Sequence, residues 1–188
     1  KRFLNCINSL EENPLGVAAL AGTSFNIDRN YTTKKLKFDS PTNNSIDTVS
    51  DRDFVVDFLY TASMCSMHIS RIAEELIIWN SEGFNLISLN DKVVTGSSIM
   101  PQKRNPDSLE LIRGKTGSIY GNLFSMLTVL KGLPLSYFKD LQDDKKFIFD
   151  AYDQLKNSIM VMNEVLKNIL FNKKNMQILA EKGFITST

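Results

Sequence analysis

An all-α fold built on long helices is predicted by three observations. Apolar residues recur at helical spacing over residues 53–80, 109–130 and 143–171. Capping and stop signals bracket those stretches. No internal repeat, low-complexity tract or strand-rich region competes with them.

The elements follow in order. Residues 1–10 read as the end of a helix already under way. Residues 11–50 are irregular by pattern, with turn-like Asn13-Pro14-Leu15-Gly16, Gly22 and Ser40-Pro41-Thr42-Asn43-Asn44-Ser45. A short helix fits near Ile27–Phe38. A stretch this long is ordinarily functional or well packed. Ser50 is placed to cap the next helix, with Asp53 three residues on in a capping-box relation. Acidic residues there suit the positive end of the helix dipole. From Asp53 to about Asn80, the residues Phe54, Phe58, Met64 or Cys65, Ile69, Ile72, Leu76 and Trp79 form a stripe. Val55, Leu59, Ala62, Ala73 and Ile77 widen it, so contact on more than one side is expected. A helix of roughly 28 residues is about 42 Å long, a bundle length rather than an ordinary globular one.

Gly83 is expected to end that helix, and residues 81–105 interrupt the pattern. Asn105 then reads as a cap, Pro106 suits a first turn, and Asp107 complements the dipole. Leu109, Ile112, Thr116, Ile119 or Tyr120, Leu123, Leu127 and Leu130 mark one face. Gly114, Gly117 and Gly121 weaken an isolated helix, and their size permits close helix approach. Gly132 and Pro134 stop it. Residues 135–144 form a polar connection. A third long helix over 143–171 carries Phe147, Ile148, Ala151, Leu155, Ile159, Met162, Leu166 and Ile169. Residues 180–184 look like a short helix ending.

The 188 residues are 43% hydrophobic, enough for one sizeable core or for part of a larger protein. Lys and Arg number 22 against 21 Asp and Glu, so a global basic surface for nucleic acid or membrane is excluded. A local cationic pocket for an acidic metabolite is compatible with that balance. The short runs Lys34-Lys35-Leu36-Lys37 and Lys173-Lys174 read as solvated surface. Cys6 and Cys65 are far apart and read as buried thiols in a reducing, cytoplasmic compartment. One histidine and two cysteines leave little room for zinc, and no metal site is expected. No apolar run approaches membrane-spanning length, and the N-terminus lacks the apolar core of a signal peptide. The start in mid-helix without Met reads as a fragment or a processed product.

The most informative stretch is Gly96-Ser97-Ser98-Ile99-Met100-Pro101-Gln102-Lys103-Arg104-Asn105-Pro106-Asp107-Ser108-Leu109-Glu110. Gly96 frees the backbone for an unusual turn. Ser97 or Ser98 can act as nucleophile, proton donor or, deprotonated, base. Lys103 and Arg104 can neutralise a carboxylate, a charge-assisted bond worth about 1.5–3 kcal/mol. Asn105 is either helix cap or substrate contact, and the helix start adds N–H donors for an anion. These features by themselves give an anion-binding loop rather than a reaction. The glycine spacing of a nucleotide phosphate loop and the Gly-x-Ser-x-Gly elbow are both absent. His68, on a long helix between Met64 and Ile72, reads as structural.

This stretch closely resembles the signature of the fumarase–aspartase superfamily. Asp107 to Lys115 resembles its argininosuccinate lyase branch, as do Ser50-Asp51-Arg52-Asp53-Phe54-Val55, Leu130-Lys131-Gly132-Leu133-Pro134 and Tyr137 to Lys145. Gln102 stands where the adenylosuccinate branch usually has tyrosine and fumarases usually have glycine. The resemblance covers nearly the whole chain. It implies a long-helix bundle of the fumarase/aspartase type, incomplete here. Residues 1–144 would be part of the central bundle domain, and 145–188 its last long helix with the start of the C-terminal domain.

The resemblance further implies β-elimination of argininosuccinate to arginine and fumarate, in arginine biosynthesis or the urea cycle. Ser97 would be the general base. Lys103 and Asn105 would stabilise the carbanion. Glu110 would pair with a histidine absent from this chain. Ser98, Gln102, Tyr137, Gln142 and Lys145 would bind substrate. Asp51 and Arg52 would organise the start of the long helix. No cofactor is implied. A homotetramer with active sites shared among three chains is implied, so one copy of this segment should be inactive. Alternatives are an adenylosuccinate- or fumarate-type lyase, a non-catalytic homologue such as a lens crystallin, and a helical interaction segment whose loop binds an anion incidentally.

Overall fold

The computed structural model describes residues 1–96 and 104–182. In chain order its helices are α1 (Arg2–Asn8), α2 (Arg29–Leu36), α3 (Ser45–Ser50), α4 (Asp53–Asn80), α5 (Asp107–Leu130), α6 (Asp144–Lys167) and α7 (Lys173–Lys182). Six strands of two or three residues sit between them: β1 (Glu12–Asn13), β2 (Ser40–Pro41), β3 (Ile87–Leu89), β4 (Thr95–Gly96), β5 (Arg104–Asn105) and β6 (Ile169–Phe171). They pair as parallel β1–β2, antiparallel β3–β6 and antiparallel β4–β5. The described residues form two compact units, one from 1–64 with 119–152 and the other from 65–118 with the described residues from 153 onward.

Each long helix buries a seam whose members recur at steps of three, four or, where one position is skipped, seven residues. On α4 it is Val55, Leu59, Ala62, Ser66, Ala73 and Leu76; on α5, Leu109, Ile112, Thr116, Ile119 and Met126; on α6, Ala151, Leu155, Ser158, Met162 and Val165. A 3.5-residue repeat is the spacing that keeps one stripe facing a neighbouring helix over many turns. The seam corrects the phase expected from sequence. The smaller apolar residues of α4 are its buried ones, while Phe54 and Ile72 are exposed. On α5, Leu127 is exposed and Met126 buried; on α6, Ile159 and Leu166 are exposed while Ser158 and Val165 take the seam. Each helix carries apolar residues on a second face, and pattern alone does not say which face is covered within the chain. Gly114, Gly117 and Gly121 lie outside the seam, and a methyl group at any of them would meet nothing within 4 Å. The close approach expected of them is not made among the described residues.

In the first unit, Arg29 organises the irregular N-terminal excursion. Its guanidinium donates to the carbonyls of Leu15 (2.9 Å), Thr42 (2.7 Å) and Asn13 (3.2 Å). Fully buried Asn13 donates to the hydroxyls of Thr32 (3.2 Å) and Thr33 (2.9 Å). Phe3 packs on Phe58 with ring centroids 6.2 Å apart. The start of α4 is capped one residue later than Ser50, which closes α3 instead. The Asp51 carboxylate accepts the Asp53 N–H at 2.7 Å. Burial first, then the charges of Asp51, Asp57 and Asp47, pushes the Asp53 carboxyl above the ordinary range. Gly132, at φ +78°, follows the end of α5 as expected.

Helix α2 ends in a left-handed cap occupied by Lys37 (φ 64°), whose N–H bonds the Lys34 carbonyl while the Phe38 N–H reaches Thr33. This is a Schellman arrangement, which favours glycine at that position. Lys37→Gly is expected to relieve about 0.5–1 kcal/mol of left-handed strain. Hydrogen exchange of the Lys37 and Phe38 amides in the full-length protein should slow by a few-fold; faster exchange would contradict it.

In the second unit, Ala73, Leu76, Ile87, Leu89, Leu109, Ile112, Met162 and Val165 form the core. Ser66 donates to Thr116 at 2.9 Å inside the unit, and Arg113 pairs with Glu74 at 2.5 Å on its surface. Two expectations are corrected here. The turn after α4 takes its left-handed residue at Asn85 (φ 45°), not at Gly83. Helix α6 stops at Lys167, because Ile169–Phe171 leaves the helix to pair with Ile87–Leu89. Asn172 then caps α7, accepting the Asn175 N–H at 3.2 Å. Cys6 is buried and Cys65 half-buried, and both are free thiols. Burial raises both above the ordinary cysteine range, with Asp57 adding to the effect at Cys6, as suits unreactive thiols.

Candidate functional site

The signature stretch follows β3 and enters α5 through a two-rung ladder. Thr95 pairs with Asn105 and Gly96 with Arg104. Gly96 is therefore extended, and its φ lies outside the left-handed region, so the special turn expected of it is not at this residue. Side chains reinforce the ladder. The Thr95 hydroxyl bonds the Asp107 carboxylate, Arg104 pairs with Asp91, and Ser108 donates to the Val93 carbonyl at 2.8 Å. The ladder thus ties both ends of the stretch to the first turn of α5. Ser97, Ser98, Gln102 and Lys103 lie outside the described residues.

Asn105 is half-buried within β5. The carbonyl opening α5 belongs to Pro106 and accepts the N–H groups of Leu109 (2.9 Å) and Glu110 (3.1 Å). Glu110 stands exposed in the first turn, five residues beyond Asn105, and its charge helps raise the Arg113 guanidinium. The larger cause of that rise is the hydrogen bond and charge of Glu74. Two open clefts flank the ladder. One of about 300 Å³ is lined by Asn90, Asp91 and Arg104; the other, about 550 Å³, by Thr95, Asp107, Leu111 and Glu164.

The other expected binding residues belong to the first unit. Tyr137 is exposed in the 135–144 connection, whose Ser136 hydroxyl donates to the Leu20 carbonyl at 3.2 Å. Gln142 is exposed within a 3₁₀ turn, Lys139–Asp143, and Lys145 is exposed on the first turn of α6. Between them and α4 lies a pair that sequence reasoning did not find. The carboxylate of buried Asp144 accepts from Arg52 Nε at 2.6 Å and from Lys145 Nζ at 2.9 Å. Arg52 also donates to the Val49 and Asp51 carbonyls. Arg52 and Asp144 are separated by 92 residues, so no periodicity or spacing could join them. Arg52 does organise the start of the long helix, as the resemblance implied. His68 is exposed.

Burial pushes the Asp144 carboxyl upward, but the hydrogen bonds and charges of Lys145 and Arg52 outweigh it and hold the group below the ordinary carboxylate range. A depressed folded value means that the stability Asp144 contributes is fully present above its unfolded pKa, about 3.9, and is lost as pH falls through the folded one. In acid titrations of the full-length protein, Asp144→Asn is expected to be less stable at neutral pH and to show a shallower loss in acid. Parallel curves would reject that linkage.

Comparison with known proteins now bears on this geometry. Residues 1–121 match the sequence profile of the family described as lyase. The argininosuccinate lyase of Pelagibacter ubique is 73% identical over 188 residues, all of this chain and 41% of that protein. The chain therefore spans about two-fifths of the length of that relative. A crystal structure of EDDS lyase in complex with formate superimposes with a TM-score of 0.84 at 29% identity, covering 93% of this chain and 35% of that one. An EDDS lyase variant with bound fumarate gives a TM-score of 0.81 at 28% identity, with the same two coverages of 93% and 35%.

Proposed function

Because the chain belongs to the lyase family, within the fumarase/aspartase superfamily, we propose that the full-length protein cleaves argininosuccinate to arginine and fumarate. The observation that carries this reading is the 73% identity to an argininosuccinate lyase along the whole chain. The ladder that ties the signature stretch to α5 supports it, and so does fumarate bound to a related lyase variant.

In this reading Ser97 removes the proton adjacent to a substrate carboxylate. The electron pair spreads into that carboxylate as an aci-carboxylate, then forms the new double bond as the C–N bond breaks. Arginine leaves with the nitrogen's pair. Lys103 and Asn105 offset the added negative charge, which accelerates the step insofar as their contacts strengthen in the transition state. Glu110 pairs with a histidine supplied from outside this chain. Ser98, Gln102, Tyr137, Gln142 and Lys145 hold the substrate's carboxylates and amino groups. No metal or cofactor takes part.

The working form is a cytoplasmic homotetramer whose sites draw on three chains, acting in arginine biosynthesis or the urea cycle. Residues 1–144 then belong to its central domain, and 145–188 lead into the next. The 188 residues alone should show little turnover. Gln102 favours argininosuccinate over adenylosuccinate or fumarate-type substrates, and a non-catalytic homologue is the reading that an inactive full-length protein would leave. Fumarate release should be measured on the full-length protein with argininosuccinate and adenylosuccinate, and hydration of fumarate followed in parallel. Turnover confined to argininosuccinate is expected; failure to consume it would overturn the proposal.

A further inference from the structure

We propose that Arg52 is a positioning residue that keeps the Lys145 ammonium electrostatically available to a substrate carboxylate, by neutralising Asp144 from the buried side. The inference rests on the reading of Lys145 as a substrate-binding group. The two oxygens of the Asp144 carboxylate are divided between two cations: Oδ2 takes Arg52 Nε at 2.6 Å and Oδ1 takes Lys145 Nζ at 2.9 Å. The Asp144 side chain is only 8% exposed and that of Arg52 16%, whereas that of Lys145 is 65% exposed. Two cations and one carboxylate leave the group with a net charge of +1. That charge is presented to solvent through Lys145, the exposed member.

Without Arg52, Lys145 and Asp144 would form a neutral pair, and an approaching anion would meet a dipole instead of a charge. Lys145 would also be drawn toward the Asp144 carboxylate, no longer shared with Arg52. An ammonium has three donors, and one is used on Asp144. The arrangement therefore anchors Lys145 through a single bond while leaving donors for a ligand. Arg52 is itself fixed by the Val49 and Asp51 carbonyls, so its charge stands at the α4 start whatever the ligand does.

The test is steady-state kinetics of the full-length enzyme, with folding and oligomeric size checked for each variant. Arg52→Gln should raise KM for argininosuccinate about tenfold, an effect discounted for the exposure of Lys145, with kcat within about threefold of wild type. Arg52→Gln combined with Asp144→Asn restores a net +1 at Lys145 and should bring KM back at least threefold from the single variant. Arg52→Lys keeps the charge and should largely retain KM, which carries the test if Arg52→Gln does not fold. A loss confined to kcat, a double variant no better than Arg52→Gln, or a folded Arg52→Lys as impaired as the glutamine would overturn the inference. Absence of fumarate release by the wild type would sink the functional reading, and this inference with it. An active wild type with unchanged KM in Arg52→Gln sinks the inference alone.

Discussion

Ser97→Ala in the full-length protein is expected to lower kcat for argininosuccinate about a thousandfold, the scale at which a positioned general base contributes. KM and assembly are expected to change little, because a hydroxyl that acts on the leaving proton would hold little of the substrate's binding energy. An ordinary serine is a poor base, so its proton transfer depends on neighbouring positive charge and amide donors. In the proposed mechanism Lys103, Asn105 and the first turn of α5 would supply these. A stopped assay of fumarate release, alongside sizing of the purified variant, gives the result. A kcat within tenfold of wild type in a correctly assembled variant would take Ser97 out of the base role.

Leu109→Ala is expected to cost about 2–5 kcal/mol of stability, the range for emptying a fully buried leucine site. Leu109 has no exposed surface and belongs to the core with Ala73, Leu76, Ile112 and Val165. It stands four residues beyond the ladder, in the turn whose N–H groups meet the Pro106 carbonyl. A cavity there loosens the first turn of α5, to which the ladder is tied. Denaturant unfolding of the full-length protein should show a clear fall in midpoint, and activity should be lost at lower temperature than in wild type. A midpoint unchanged from wild type would mean that the site collapses around the smaller side chain or that Leu109 is not a core residue in the assembled protein.

Much of this fold was legible because periodicity is a local signal. Helix α4 runs from Asp53 to Asn80 as its pattern predicts, and α5 ends just before Gly132. The phase of the buried seams was less legible. Phe54, Ile72, Ile159 and Leu166 look like better core residues than Ala62, Ser66, Ser158 or Ala73, yet the small ones are buried. A heptad seam selects side chains by fit against a facing helix, and size alone does not report that fit. Pairings between distant segments were not legible at all. The Ile87–Leu89 ladder with Ile169–Phe171 involves too few residues to leave an alternating pattern. The Arg52–Asp144 pair joins two charges, each of which reads as ordinary helix-end polarity. The candidate site divides the same way. Residue types in Gly96–Glu110 point to anion chemistry as an expectation, while the side chains that brace the stretch, Asp91, Thr95 and Asp107, carry no motif of their own.

The two-rung ladder has a consequence for how such a protein can diversify. A segment whose two ends are stapled side by side is a module: substitutions between the ends leave the paired residues, and so the path of the chain on either side, unaltered. If Gln102 reads the substrate as proposed, its exchange would retune preference while the paired residues of the ladder stay as they are.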